Sequence, residues 1–492
     1  MFGLLPGTFY LAEKALFCYN YRRKWGFEMQ EKYEKLRQEY PVFSYDGYNI
    51  SSHAGGILLR FDFSIPGLCE FHPQTRIVTE NLKILNAPGN RRAQAIVFAL
   101  GLVEAVSYWK SVCSPKFVIA CPPLFFNEKD FNWWKKLWFN GLGEFFYKNK
   151  IQASFDDFVE FKLESSVKEA DDSKEKFISS GLNIIPVGGG KDSCVSLDLL
   201  AEFRGRNLCF TVNDQAARTQ TAAAAGYGRE DTIRSYRQID PELLRLNREG
   251  FLNGHTPFSA IVAFLSLYCA HITGAENIVL SNESSANEAS VPGTQVNHQY
   301  SKSFEFEKDF SAYVKEHFGH HTKYFSILRA FNELQIAKRF AALTQFHEAF
   351  RSCNVGSKQN IWCCECSKCL FVYLILAPFM DLERVEAIFG QNLLDKESLL
   401  EEFKGLTGLL ATKPFECVGT VDEIRYALDL ISDKYKKQAK SLPALLAYYY
   451  DKAEKGQEAP EGLLAAYEKD NAIPENFLKP VAEMYEYVSK TD

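Results

Sequence analysis

The run Gly188-Gly189-Gly190-Lys191-Asp192-Ser193 follows the apolar segment LNIIPV and precedes CVSLDLLAEF, which reads as a helix. Consecutive glycines let backbone N–H groups approach an anion with no Cβ in the way. The start of the following helix adds roughly half a positive charge and unpaired N–H donors. Ser193 offers a hydroxyl and Lys191 an ammonium, so the loop predicts a cradle for phosphate or pyrophosphate. Its spacing is neither that of a Walker A loop nor that of the dinucleotide GxGxxG turn. A second constellation lies downstream. Cys363-Cys364-Glu365-Cys366-Ser367-Lys368-Cys369 contains CxxCxxC, with Cys353 shortly upstream. Four sulfurs from Cys353, Cys363, Cys366 and Cys369 can close a tetrahedral shell around a structural Zn²⁺. The other reading of this cluster is a set of buried thiols or a redox pair. Cys364 is left over, as a nucleophile, an acid/base or a small packed residue.

Between these two motifs lies a concentration of polar residues. Ser281-Asn-Glu-Ser-Ser-Ala-Asn-Glu288 follows the short apolar run ENIVL, and Val296-Asn-His298-Gln-Tyr-Ser-Lys302-Ser-Phe-Glu305 comes next. In open parallel sheets ligands sit beyond the carboxyl ends of strands. Glu283 and Glu288 leave such an end and are candidates for Mg²⁺ coordination, directly or through water. His298 is a candidate acid/base because its reference pKa lies near neutrality. Lys302 is suited to hold a phosphate or a carboxylate.

The elements that must position these groups fall into two textures. Residues 9–39 read as an amphipathic helix, 55–85 as strands, 91–112 as a partly buried helix, FVIAC as a short strand and FNWWKKLWFNGLGEFFYKN as an aromatic helix. The polar stretch 163–176 is expected to be a linker or a solvated helix. Beyond it LNIIPV, NLCFTVN and ENIVLSN are strands separated by helices, which predicts a parallel α/β sheet. The expected organisation is an amino-terminal α+β domain over 1–175, a nucleotide domain over 176–383 and a helical segment over 384–492. Four of the 13 cysteines lie within Cys363–Cys369, which argues for metal or redox chemistry over a disulfide framework. The net charge of −6 gives no basic excess for nucleic acid or a membrane surface. No leader or membrane span stands out, so a cytoplasmic protein with a small-molecule substrate is expected, with no nucleic-acid or membrane partner.

Gly188–Ser193 resembles the SGGxDS loop of the PP-loop ATP-pyrophosphatase superfamily, with Gly188 where that motif has its first serine. The resemblance implies a parallel-sheet, HUP-type (adenine nucleotide alpha hydrolase-like) fold. It also implies ATP cleaved between the α- and β-phosphates and a substrate adenylated. Adenine would meet the end of the second strand, Phe210–Asn213. A cysteine followed by CxxCxxC after such a loop also resembles 7-cyano-7-deazaguanine synthase. The ordered set GLVEAVSYWK, FNGLGEFFYKN, VGGGKDS, NGHTPFSAI, SNESSANE, VNHQYSKSFEFE and WCCECSKCLFVYLILAPF resembles a narrower family, over roughly residues 55–420. That family is the UDP-N-acetylmuramoyl-L-alanyl-L-glutamate epimerases (MurL). It implies adenylation of a glutamate carboxylate, Cα proton exchange, and hydrolysis to AMP and pyrophosphate, in peptidoglycan precursor synthesis. A site that inverts a carbon often needs a group on each face. His298 is one candidate, and Cys364, Glu305 and Lys302 compete for the other role. Arg91, Arg92 and Lys110 are weaker candidates for the nucleotide-sugar phosphates. The alternatives are another PP-loop carboxylate-activating enzyme, such as a nitrile synthase or a tRNA-modifying enzyme, and a non-enzymatic adenine-nucleotide sensor.

Overall fold

Alternation along GILLRFDFSI sets one face of the sheet: Ile57, Leu59, Phe61, Phe63 and Ile65 are buried while their neighbours are not. NLCFTV and NIVL are instead buried at every position, as strands covered on both faces must be. The structure, a computed structural model, describes residues 28–53, 56–80, 89–123, 126–164, 179–287, 300–319, 322–452, 460 and 462–490. The strands are β1 (Val42–His53), β2 (Gly56–Ile65), β3 (Cys69–Phe71), β4 (Gln74–Val78), β5 (Lys116–Ile119), β6 (Glu160–Leu163), β7 (Asn183–Pro186), β8 (Asn207–Val212), β9 (Thr232–Gln238), β10 (Asn277–Leu280) and β11 (Lys323–Ser326). The helices that cover the sheet or position the site are α1 (Arg91–Trp109), α2 (Phe131–Gly141), α3 (Lys191–Leu199), α4 (Phe258–Thr273), α5 (Phe304–Phe318), α6 (Glu333–Ala341), α7 (Ser367–Leu376), α8 (Val421–Lys437) and α9 (Leu478–Ser489).

All eleven strands form one sheet, in the order β11-β10-β7-β8-β9-β4-β2-β1-β5-β6 with β3 beside β2. Strands β11 through β9 run parallel. Numbered among themselves they have the order 3-2-1-4-5 of doubly wound nucleotide-binding sheets. The β9–β4 pair is antiparallel and joins this half to the amino-terminal strands. The sheet is therefore continuous across the expected boundary near residue 175. Strands β1, β6, β9 and β11 fall where no strand is read from the sequence. The polar TIRSYRQ of β9 hides its strand because its Arg237 finds a buried partner, Glu104, across the junction. The expected linker lies mostly outside the described residues, as do residues 9–27 of the first expected helix; 28–39 is helical.

Strand alternation divides two cores. Ile184, Leu208, Ile278 and Tyr324 face one core, shared with α1, α2, α4 and α5. Their neighbours Ile185, Cys209, Val279 and Phe325 face the other, shared with α3, α6, α7, α8 and α9. The carboxy-terminal helices thus cover the second face of the parallel half. Among the described residues no helix is long and apolar enough to cross a membrane.

Candidate active site

The glycine loop leaves β7 at the point where the strand order reverses, between β8 and β10, and runs straight into α3. Gly189 has φ +84°, and a Cβ there would lie 2.8 Å from the Ala217 carbonyl carbon and 2.9 Å from the Arg218 nitrogen. Both obstacles are backbone, so only glycine fits. A Cβ on Gly188 would meet nothing closer than Ser193 Oγ at 3.6 Å. The departure from serine at this position is therefore not imposed by space. The Gly188 N–H donates to Ser193 Oγ at 2.9 Å, which fixes that hydroxyl inside the loop.

Lys191 does not project into the open loop. Its buried ammonium pairs with the carboxylates of Asp192 and of Glu333, the first residue of α6. Burial alone would lower its pKa, but these two carboxylates outweigh that and hold it charged. Burial pushes the Glu333 carboxyl up to about 8 against the pull of Lys191, with Asp192 and Glu283 adding charge of the same sign. Asp192 takes the other part of the Lys191 charge. Despite burial, it is held below the usual carboxylate range by Lys191, Lys368 and Lys302. Lys302 in turn stays protonated against burial through Cys417, Glu283 and Asp192. Three lysines and three carboxyl groups from five separate segments, Lys191 and Asp192 sharing one, thus converge beside the loop.

This convergence has a buried strut. Arg329, 0% exposed, donates to the Glu283 carbonyl at 2.7 Å, to the Lys302 carbonyl at 2.7 Å and to Glu307 Oε2 at 3.1 Å. Ser285 Oγ donates to Glu423 Oε1 at 2.8 Å, and the Glu333 N–H donates to the same oxygen at 2.7 Å. Glu423 belongs to the capping box that starts α8 at Thr420. Lys302 Nζ donates to Cys417 Sγ at 3.2 Å, and Lys368 Nζ donates to the Cys417 carbonyl. At the end of β10 the Ser281 hydroxyl is buried with no partner among the described residues.

The edge expected to meet adenine falls at the end of β8. Asn213 has φ +58°, its Oδ1 accepts from the Arg237 N–H at 2.9 Å, and its carbonyl accepts from Arg218 at 2.9 Å. The four cysteines also meet. The Sγ atoms of Cys353, Cys363, Cys366 and Cys369 all lie within 4.8 Å of one another. The Cys363–Cys369 separation is 3.7 Å, close to the edge of about 3.8 Å of a tetrahedron with Zn–S bonds of about 2.3 Å. Backbone N–H groups of Gly356 and Glu365 donate to Cys353 and Cys363 at 3.1 and 3.5 Å. A hydrogen bond from Cys369 pulls the Cys366 thiol down to about 5, whereas burial pushes the Cys363 thiol up to about 11 and the bond to Cys366 raises Cys369, so one sulfur of the four favours thiolate before a metal binds. Soft sulfur ligands, their number and their spacing fit a structural zinc.

The remaining candidates lie elsewhere. Cys364 makes the left-handed turn of the cysteine loop at φ +56°, and its thiol donates to the Phe389 carbonyl at 3.4 Å. Glu305 is 57% exposed and pairs with Lys136 at 2.6 Å, on the opposite side of α5's first turn from the buried Glu307. His298 and Glu288 lie outside the described residues. Arg91 and Lys110 stand near opposite ends of the 19-residue α1, about 27 Å apart, and so cannot meet one pyrophosphate. Lys110 is buried and donates to Asn253 Oδ1 at 3.1 Å; burial pulls it down to about 8. Glu333, Lys368, Cys417, Glu423 and Arg329 were not found from sequence. Thr420-x-x-Glu423 and the lysine inside the cysteine motif were the readable signals.

Residues 34–327, which contain the whole sheet, match the MurL N-terminal domain, and residues 346–460 match the MurL C-terminal domain. The chain is 33% identical over 416 residues to the UDP-N-acetyl-alpha-D-muramoyl-L-alanyl-L-glutamate epimerase of Micromonospora sp., covering 82% of this chain and 89% of that protein. It is 32% identical over 410 residues to the enzyme of the same name from Salinispora tropica, covering 82% and 87%. Against that of Xanthomonas oryzae pv. oryzae it is 33% identical over 371 residues, covering 73% and 80%. On both matched segments and on these relatives, the chain belongs to the MurL family.

Proposed function

We propose that this protein is an ATP-dependent epimerase that converts the terminal L-Glu of UDP-MurNAc-L-Ala-L-Glu to D-Glu, through a PP-loop. The observation that carries the reading is the convergence of Lys191, Lys302, Lys368, Asp192, Glu283 and Glu333 beside a glycine loop at the switch point of a 3-2-1-4-5 sheet. Such a place is built for a ligand that brings several negative charges.

The chemistry asks for this. Removing the Cα proton of a free glutamate puts a carbanion within about 3 Å of a carboxylate. At an effective dielectric of about 20, that repulsion is about 5 kcal/mol, nearly four decades in rate. Adenylation removes the charge and turns the carboxyl into an electron sink. The loop N–H groups, Ser193 and the start of α3 would hold the leaving pyrophosphate. The end of β8 at Asn213 would hold the adenine. Glu283, with Glu288, would bind a Mg²⁺ that neutralises the phosphates. Water then cleaves the acyl-adenylate to release AMP. Among the four side chains named for proton transfer, Lys302 is the described one whose charge acts on the loop, where its ammonium would support the transfer, and His298 is the candidate for one face. Cys353, Cys363, Cys366 and Cys369 would hold zinc in a structural role and keep Lys368 in place.

Incubation with ATP, Mg²⁺ and UDP-MurNAc-L-Ala-L-Glu, followed by chiral analysis of glutamate, tests the reading. D-Glu should appear together with AMP and pyrophosphate. AMP release with other carboxylates and none with this substrate would refute it.

A further inference from the structure

We propose that Cys417 is the base on one face of the glutamate Cα, its thiolate taking the proton once the carboxyl is adenylated. The assignment rests on the adenylating epimerase reading above and adds a residue to it.

Among the described thiols, Cys417 is the one hydrogen-bonded to a lysine of the charged cluster. Its Sγ accepts from Lys302 Nζ at 3.2 Å, and its carbonyl accepts from Lys368. Both lysines act on Asp192, the residue that follows Lys191 in the glycine loop. The sulfur therefore stands beside the groups that would surround the activated carboxyl. By contrast, Cys113, Cys194, Cys209 and Cys269 are buried in the two cores, and four other cysteines form the sulfur cluster. The Lys302 ammonium donates to this sulfur, and such a bond is stronger to a thiolate than to a thiol. Cysteine at a lysine's side is thus suited to carbon-acid chemistry.

The segment that carries Cys417 is fixed at both sides. Glu416 accepts from Asn354 Nδ2 at 2.6 Å, next to the sulfur cluster. Phe415 packs against Tyr147 of the amino-terminal half, ring centroids 5.1 Å apart. Gly419 lies so close to α6 that a Cβ would stand 3.2 Å from Glu333 Cγ and 2.6 Å from Glu423 Oε2. Arg329 holds the Lys302 carbonyl, so the donor to the sulfur is positioned too. Sequence reading had proposed Cys364 for a thiol role, but its Sγ faces Phe389.

The step balances. The Cα–H bond breaks, an S–H bond forms on Cys417, and the electron pair passes into the acyl C=O of the adenylate. Lys302 keeps its three protons throughout. A separate general acid returns a proton to the opposite face.

The test is run in D₂O with ATP, Mg²⁺ and UDP-MurNAc-L-Ala-L-Glu. It compares wild type with Cys417→Ser and Cys417→Ala, and reads deuterium at the glutamate Cα per pyrophosphate released. Pyrophosphate release reports that a variant has folded and adenylates. The ratio should fall about 10²- to 10⁴-fold in both variants, the span of a lost general base. A ratio within threefold of wild type overturns the Cys417 assignment alone. Variants that release no pyrophosphate while wild type does would assign Cys417 to adenylation and likewise overturn it as the base. Wild type that releases no pyrophosphate overturns the adenylation reading, and this inference with it.

Discussion

Replacing Arg329 by Met removes the strut of the candidate site and strands a carboxylate. The guanidinium is fully buried and makes three contacts: the Glu283 carbonyl at 2.7 Å, the Lys302 carbonyl at 2.7 Å and Glu307 at 3.1 Å. Breaking a buried pair from one side costs about 3–5 kcal/mol, and each orphaned carbonyl adds to that, though not additively. R329M should therefore lose at least about 3 kcal/mol at neutral pH, read from the midpoint of urea unfolding. The loss should depend on pH in a defined direction. Burial already raises the Glu307 pKa in the wild type, with Arg329 pulling it down. Without Arg329 the folded pKa moves further above the unfolded value of about 4.3. The folded state then binds a proton that the unfolded chain has released, so stability falls as pH rises above about 4.3 until the new folded pKa is passed. Relative to wild type the loss should grow by up to about 1.4 kcal/mol per pH unit between pH 5 and 7. A second substitution separates charge from strut. E307M in the R329M background removes the stranded carboxyl and should recover at least about 2 kcal/mol, because an apolar pair of similar volume can replace a buried ion pair. Activity should not return, because the Glu283 and Lys302 carbonyls still lack their donor. A single-variant loss under 1 kcal/mol, or a double variant no more stable than the single, would refute this account.

Three further outcomes follow from other parts of the structure. Elemental analysis should find one zinc per chain. Cys366→Ser should lose it and lower the thermal midpoint by about 5 °C or more, whereas substoichiometric zinc with an unchanged midpoint would exclude a structural metal. Gly189→Ala should cost about 1–3 kcal/mol and abolish ATP binding in titration calorimetry, because it strains a positive φ against the backbone of Ala217 and Arg218. Gly188→Ser, with no neighbour closer than 3.6 Å, should stay within about 0.5 kcal/mol of wild type. Lys110 is charged at pH 7 at the expense of folding, since burial lowers its folded pKa to about 8 while the unfolded value stays near 10.4. A group lowered in this way relieves its penalty as pH rises through the folded pKa, so the stability gained by K110M should shrink by about 1 kcal/mol between pH 7 and pH 9.

What could be read from the sequence was what local chemistry encodes. The alternation of GILLRFDFSI, the continuous apolar run of β8 and the spacing of the cysteines each carry their structure within a few residues. The order of residues around Gly188–Ser193 was equally legible, because a strand, three glycines and a helix start must be contiguous to form a cradle. Strand β9 was not legible. Its Arg237 looks like a surface charge until it meets Glu104, which lies 133 residues away and is itself buried. The charged cluster was hidden for the same reason. Glu333, Lys368 and Glu423 read as ordinary helix residues, and Cys417 as a loop residue. Only tertiary packing makes Lys191 spend its charge on Glu333 and brings Lys302 to a sulfur.

The same long-range pairing bears on how the two halves work together. Arg237 of β9 holds Glu104 of α1 through two contacts of 2.7 Å, and both side chains are nearly or fully buried. The backbone N–H of Arg237 also donates to Asn213, at the edge proposed for adenine. The parallel half and the amino-terminal half are therefore joined by strand pairing, by a desolvated ion pair and by a hydrogen bond that reaches the candidate site. Opening a hinge between β9 and β4 would break ladder hydrogen bonds and strand two buried charges, at a cost of about 3–5 kcal/mol for the ion pair alone. A conformational step of that kind is a poor fit to this architecture. A long substrate can instead be gripped at one end and reacted at the other across a fixed distance, with binding energy from the remote part used for orientation at the reacting carbon. On this view the sheet serves as the ruler, and any closure over the reactants falls to segments at its carboxyl edge and not to a hinge between its halves.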